Sequence, residues 1–216
     1  MDYATARRNM VESQLRPNRV TDPALLEALS SVPRELFVPA PLRSVAYVDE
    51  DIPLGRGRFL LEPMILGRLL ELAAVRSSDV ALVVGAGSGY SAAVLDRIAG
   101  RVVALEEDHQ LAQQAAQTLR GLGAANATVV EGPLVDGAPR LAPFDVILID
   151  GAVEPVPAAI SDQLANGGRL VVVVRAGGIG GATLVTRQAG IVASRVAFDA
   201  AVPCLPGFEA DPAFVF

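Results

Sequence analysis

The residues whose types and spacing are suited to chemistry lie near the middle of the chain. Gly85, Gly87 and Gly89, in Val83-Val84-Gly85-Ala86-Gly87-Ser88-Gly89-Tyr90, fall where an apolar run gives way to a helical period. In an open α/β sheet, ligands bind beyond the carboxyl ends of the strands, where such turns lie. The glycines occupy relative positions 0, 2 and 4, whereas the dinucleotide fingerprint needs its third glycine at position 5, which is Tyr90 here. A pyrophosphate needs a helix N-terminus aimed at it; a ligand without phosphate needs only close backbone approach. The next apolar run, Arg101–Leu105, ends in Glu106, a carboxylate able to accept two hydrogen bonds from vicinal ribose hydroxyls. Loop and acid together predict a nucleoside-bearing cofactor. S-adenosylmethionine, which has an adenosine and no phosphates, fits better than NAD. A tight strand-to-helix turn alone would call for the same glycines.

The composition narrows the chemistry further. All 18 basic residues of the 216 are arginine, and there is one histidine (His109), one cysteine (Cys204) and no tryptophan. Without lysine there is no phosphate-loop lysine, Schiff base or lysine general base. One His and one Cys cannot build a His/Cys zinc site, a redox pair or an intrachain disulfide, and no metal site is expected. The net charge of −6 argues against nucleic acid. The charge is uneven: residues 1–70 hold nine arginines and nine acids, and residues 71–216 nine arginines and fifteen acids. No apolar stretch approaches the ~18 residues of a membrane span, and no apolar run follows Arg7-Arg8, so no secretory signal is read. A cytoplasmic protein is expected, with Cys204 an inert packed thiol.

The positioning elements are legible from period and punctuation. An amphipathic helix through Ala6, Met10, Val11 and Leu15 should stop before Pro17. Asp22 and Pro23 open a second helix, and Pro33 closes it. Residues 37–62 read as ordered loop, in which Asp49 and Asp51 flank the entry to the cap loop and are either functional or simply solvated, and Pro63 opens a helix that buries Leu66, Leu69, Leu70 and Ala73. Four unbroken apolar runs follow: Val80–Val84, Val102–Leu105, Val146–Ile149 and Leu170–Val174. Runs without alternation, separated by helical segments (92–98, 111–119 and 156–164), indicate a parallel sheet covered on both faces. Val129-Val130 suggests one more short strand. Thr183–Thr186 and Ile191–Phe198 are joined by a turn near Gly190 too short for a parallel crossover, so they form an antiparallel hairpin. The expectation is a mostly parallel, doubly wound α/β sheet with a C-terminal antiparallel hairpin and an N-terminal helical cap. Residues 1–75 would form the cap and a substrate-side loop, and 76–216 the cofactor-binding part of one compact unit. Asp108 should cap the helix after Glu106-Glu107, leaving His109 exposed in its first turn.

The glycine motif with Ser91-Ala92-Ala93-Val94-Leu95 after it resembles that of the protein-L-isoaspartate O-methyltransferases. So do Val32-Pro33-Arg34-Glu35-Leu36-Phe37-Val38-Pro39, Ala46-Tyr47-Val48-Asp49, Pro53-Leu54-Gly55-Arg56-Gly57 and Gly167-Gly168-Arg169-Leu170-Val171. The resemblance spans nearly the whole chain. It implies a class I, Rossmann-like methyltransferase fold, S-adenosylmethionine as methyl donor, and an acceptor carboxylate on a protein or peptide bearing isoaspartate. By the same resemblance Gly85, Ala86, Gly87, Ser88 and Gly89 approach the cofactor's methionine end and Glu106 holds its ribose. The residue census agrees: an aspartyl carboxylate is already ionised at neutral pH and needs no general base, only alignment and desolvation.

Two departures stand out. Where the family has Thr-Ile-Ser before a proline, this chain has Phe59-Leu60-Leu61, so Leu61 holds the serine's place and carries no hydroxyl. Where the family has Gly-Asp-Gly, with the acid on the adenine amine, this chain has Gly132-Pro133-Leu134, leaving Pro133 and Leu134 to meet the base by apolar and backbone contact. Arg56 and Arg58 offer bidentate forks for a substrate carboxylate, or are solvated loop charges. Asp150, ending the run Val146–Ile149, either touches substrate or cofactor or shapes an Asp-Gly turn. A different, small carboxylate acceptor, a cofactor-binding protein without turnover, and more remotely an NAD-binding oxidoreductase stay open.

Overall fold

A computed structural model describes residues 2–176 and 179–209, with residues 176 and 179 described in backbone only. The chain begins with helix α1 (Tyr3–Met10), capped by the Asp2 carboxylate, and continues through a π turn at Val11–Leu15. Pro17 lies in the following single 3-10 turn, and Arg19 reverses the chain at φ 66°. Helix α2 (Pro23–Ser31) starts on the Asp22 side chain, which accepts from the Leu25 N–H at 2.9 Å. Two 3-10 turns follow.

Residues 37–62 are not loop throughout. Strands β1 (Ile52–Gly55) and β2 (Arg58–Leu60) form a short antiparallel hairpin. Its turn residues Arg56 and Gly57 have φ of 55° and 71°, the left-handed pair that suits strand twist. With strands of four and three residues, too little alternation exists to show in the sequence. Helix α3 (Pro63–Ala73) buries Ile65, Leu66, Leu69 and Leu70.

The main sheet has seven strands: β3 (Val80–Val84), β4 (Arg101–Glu106), β5 (Ala127–Glu131), β6 (Phe144–Val153), β7 (Leu164–Ala176), β8 (Ile179–Gln188) and β9 (Ile191–Asp199). Their order is β5-β4-β3-β6-β7-β8-β9. The first five pair in parallel, and β8 and β9 antiparallel. Helices α4 (Tyr90–Asp96) and α5 (His109–Gly121) make the crossovers from β3 to β4 and from β4 to β5. The third expected helix shrinks to α6 (Ala158–Ser161), because Pro155 and Pro157 restrict its start and Leu164 already belongs to β7. The hairpin turn at Ala189-Gly190 again has two positive φ values, 50° and 81°.

Strand order reverses between β3 and β6, the position where open sheets leave a crevice. The glycine turn sits at the end of β3 on one side of that point. On the other, the β6–β7 register shifts between Leu148 and Ala152, a bulge that places Asp150 at the crevice. Cap residues such as Leu15, Leu29 and Leu66 share one buried cluster with Val83, Ala104 and Val171 of the sheet. Among the described residues no helix is long and apolar enough to cross a membrane, and no group of three His, Cys, Asp or Glu side chains is placed to hold a metal.

Candidate active site

The site is built on Glu106, the last residue of β4. A parallel strand covered on both faces carries its final side chain into the crevice, and Glu106 is fully buried there. Its Oε2 accepts from the Gly87 N–H at 2.8 Å, and its Oε1 from the Glu107 and Asp108 N–H groups at 2.9 and 3.0 Å. The strand end and the glycine turn are therefore one hydrogen-bonded object. The turn closes on itself as well: the Gly85 and Ala86 N–H groups both donate to the Leu105 carbonyl, and the Gly89 N–H to that of Ala86.

The hairpin turn reaches this carboxylate. Arg58, only 5% exposed, donates from Nε to Oε1 and Oε2 of Glu106 at 3.2 and 3.3 Å, and its Nη2 lies 3.1 Å from Oε1. Arg56 stays at the surface, 3.1 Å from Asp108 and 2.7 Å from the Gln110 amide oxygen. Both arginines, read as forks for a substrate carboxylate or as solvated loop charges, meet acids of their own chain, because the hairpin folds back onto the start of α5. Asp108 caps that helix as expected, accepting from Gln110 and Leu111, and these bonds hold its carboxyl below the usual range. His109 is exposed and pairs with Glu131 at 2.8 Å.

A second polar cluster lies beside Leu61. Arg34, fully buried, donates to the carbonyls of Ala46 and Leu61, and its guanidinium stands 4.9 Å from the Tyr90 ring centroid. Asp150 accepts from the Ser91 hydroxyl. Burial pushes the Asp150 carboxyl up to about 7, against the Ser91 bond and the Arg34 charge, with the Asp51 and Glu106 charges adding to the rise. Among the described residues, Nη1 of Arg34, the Tyr90 hydroxyl, Oδ1 of Asp150 and Oγ of Ser88 are buried with no hydrogen-bond partner. Asp49 and Asp51 hold the start of α3 in place, accepting from the Met64 and Glu62 N–H groups respectively. Asp150 sits in the β6 bulge rather than in an Asp-Gly turn. Pro133 is exposed, whereas Leu134 is buried in the cluster that contains Leu105 and Leu205. In the sequence Arg34, Tyr90 and Ser91 stand only as members of motifs and not as site residues, since nothing local in an arginine after a proline or a tyrosine after a glycine announces burial.

The glycine turn and carboxylate have the chemistry for a nucleoside, yet in this fold the space they face is filled. A Cβ on Gly87 would lie 3.0 Å from Leu54, one on Gly85 3.0 Å from Leu205, and one on Gly151 2.6 Å from Leu205.

Residues 6–201 match the sequence profile of the protein-L-isoaspartate(D-aspartate) O-methyltransferase family. The chain belongs to that family. It is 45% identical over 172 residues to a protein-L-isoaspartate O-methyltransferase of Synechococcus sp. (strain JA-2-3B'a(2-13)), covering 80% of this chain and 70% of that one. It is 42% identical to protein-L-isoaspartate O-methyltransferase 2 of Anaeromyxobacter sp. (strain Fw109-5), over 77% and 69%. A solved protein-L-isoaspartate O-methyltransferase superposes with a TM-score of 0.81 at 24% identity, covering 93% of this chain. This chain spans 66% of that one, just under two thirds. A Plasmodium falciparum protein solved with S-adenosyl-L-homocysteine superposes at 0.79 and 17% identity, over 92% and 97%. The fold is that of the class I methyltransferases. The isoaspartate methyltransferase family uses S-adenosylmethionine.

Proposed function

We propose that this chain transfers a methyl group from S-adenosylmethionine to the carboxylate of an isoaspartyl residue in a protein or peptide. The observation that carries the reading is the family match over residues 6–201 together with Glu106, turned back from β4 onto the Gly87 amide at 2.8 Å. In this reading residues 85–89, Glu106, Pro133 and Leu134 hold the cofactor, residues 76–216 form its domain, and residues 1–75 are the acceptor-side cap. S-adenosylmethionine supplies an electrophilic methyl. The chain's own residues need supply no base, since an isoaspartyl carboxyl has a pKa near 4 and is ionised at neutral pH. They supply burial and alignment: Leu61 is 1% exposed, and Arg34 fixes its carbonyl. The reading places the protein in the cytoplasm, with no nucleic-acid or membrane partner.

Leu61 favours a second reading, in which a small carboxylic acid replaces isoaspartate or turnover is very slow, because no hydroxyl stands at that position. Release of S-adenosylhomocysteine with an isoaspartyl peptide, for wild type and Leu61→Ser, separates these. Steady turnover by wild type carries the first reading; a slow wild type with Leu61→Ser at least about tenfold faster, the effect of one transition-state hydrogen bond, carries the second. Equal rates would remove Leu61 as the limiting feature. Release with small carboxylic acids alone would favour the second reading. Binding of NAD without any of S-adenosylhomocysteine would reject both.

A further inference from the structure

We propose that the chain holds its own cofactor crevice shut with a two-part cover, the β1–β2 hairpin and the tail segment 203–208, latched by Arg58 on Glu106. The inference rests on the reading that Glu106 and the glycine turn are the cofactor's seat.

The hairpin is one half. Its turn carries two arginines on either side of Gly57, Arg58 on Glu106 and Arg56 on Asp108, while Leu54 lies against Gly87. Glu106 already accepts from three backbone N–H groups, and Arg58 covers the rest of the carboxylate. Ribose hydroxyls therefore reach Glu106 only by displacing the guanidinium. A buried ion pair resists such displacement, because separating the partners strands a charge away from water.

The tail is the other half. Leu205, 3% exposed, rests on Gly85 and Gly151. It is fixed by main-chain bonds: Ala152 N–H to Pro203 O and Leu205 N–H to Ala152 O, both 2.9 Å, and Glu154 N–H to Phe208 O at 2.8 Å. The halves meet where Pro206 packs on Gly57, 2.7 Å from where a Cβ would stand. Freeing Arg58 thus loosens the tail through that contact. A ligand that binds only the open form has its affinity reduced by the open fraction.

Cys204, the single cysteine, sits on the tail and is half-buried, so its labelling by a thiol reagent such as DTNB reports opening without any turnover. Arg58→Gln keeps length and polarity and removes the charge. It is expected to label at least about tenfold faster than wild type and to bind S-adenosylhomocysteine about tenfold tighter by calorimetry, as a rise in open fraction requires. Saturating S-adenosylhomocysteine should speed labelling of wild type. Leu205→Ala, which empties the tail half and leaves the ion pair, should also bind tighter and guards against a folding defect in Arg58→Gln. Faster labelling of Arg58→Gln with no ligand binding in any variant would keep the latch and remove the cofactor reading. Equal labelling of wild type and Arg58→Gln, with equal binding by all three proteins, would overturn the latch and keep that reading.

Discussion

Arg34 donates from Nη2 to the Leu61 main-chain carbonyl at 2.6 Å, and from Nε to that of Ala46 at 2.6 Å, out of complete burial. One side chain thereby ties the turn before the hairpin to the strand end after it, and sets where Leu61 stands. Desolvation lowers the pKa of this guanidinium, against the nearby Tyr90 and Asp150, and only the fork geometry serves both carbonyls. Arg34→Met should leave both unpaired and cost about 2–5 kcal/mol in urea denaturation. Arg34→Lys should recover less than half of that, since a single ammonium cannot span both acceptors. A loss under about 0.5 kcal/mol for Met, the range of an ordinary surface change, would show that Arg34 does not hold Leu61.

The fold is legible to the extent that burial leaves a repeating signature. Unbroken runs such as Val80–Val84 and Val146–Ile149 mark strands covered on both faces, and Asp22-Pro23 marks a helix start; each is an element at that place. The β1–β2 hairpin escapes such a reading because three or four residues carry no period, and flanking prolines and glycines act alike in loops and turns; the helix over 156–164 is read at its place but too long, since so short an α6 leaves little period to set its ends. At the site, Glu106 is legible from its position at a strand end, which topology alone determines. Its partner Arg58 lies 48 residues away, and nothing local tells an arginine that will be buried from a solvated one. Leu205 is more obscure still, because a leucine between prolines gives no sign of what it will cover.

Asp150 makes stability depend on pH. Its carboxyl is pushed up to about 7, first by burial, whereas in the unfolded chain it titrates near 4. The folded state thus binds the proton more tightly, so this group's contribution is complete below about pH 4 and is lost as pH rises through 7. Asp150→Asn cannot ionise. Its melting temperature relative to wild type should therefore be higher at pH 8 than at pH 5, by roughly 4 °C or more. Glu62, also pushed up to about 7 by burial and the nearby Asp49, Asp51 and Glu50 charges, adds a slope of the same sign to both proteins and cancels in the difference. Parallel melting profiles across pH 5–8 would mean that Asp150 stays ionised in the folded protein.

Gly89 tests whether the glycine turn is shaped for a ligand throughout or partly for packing. It caps α4 in the left-handed region, φ 96° and ψ 11°, and a Cβ there would lie 3.1 Å from the Cβ of Ala115 on α5. A side chain at this position faces backbone strain of about 1–2 kcal/mol and crowding between two helices that must both reach the sheet. Gly89→Ala should therefore destabilise by about 1–3 kcal/mol, with S-adenosylhomocysteine absent as well as present. Part of that cost belongs to the Ala115 methyl, so it should shrink in an Ala115→Gly background. The double-mutant cycle should then show a coupling of at least about 0.5 kcal/mol, the scale expected for residues in contact. Unchanged stability with weakened ligand binding would instead make Gly89 a position kept bare for the cofactor, and the approach of α4 to α5 would need another explanation.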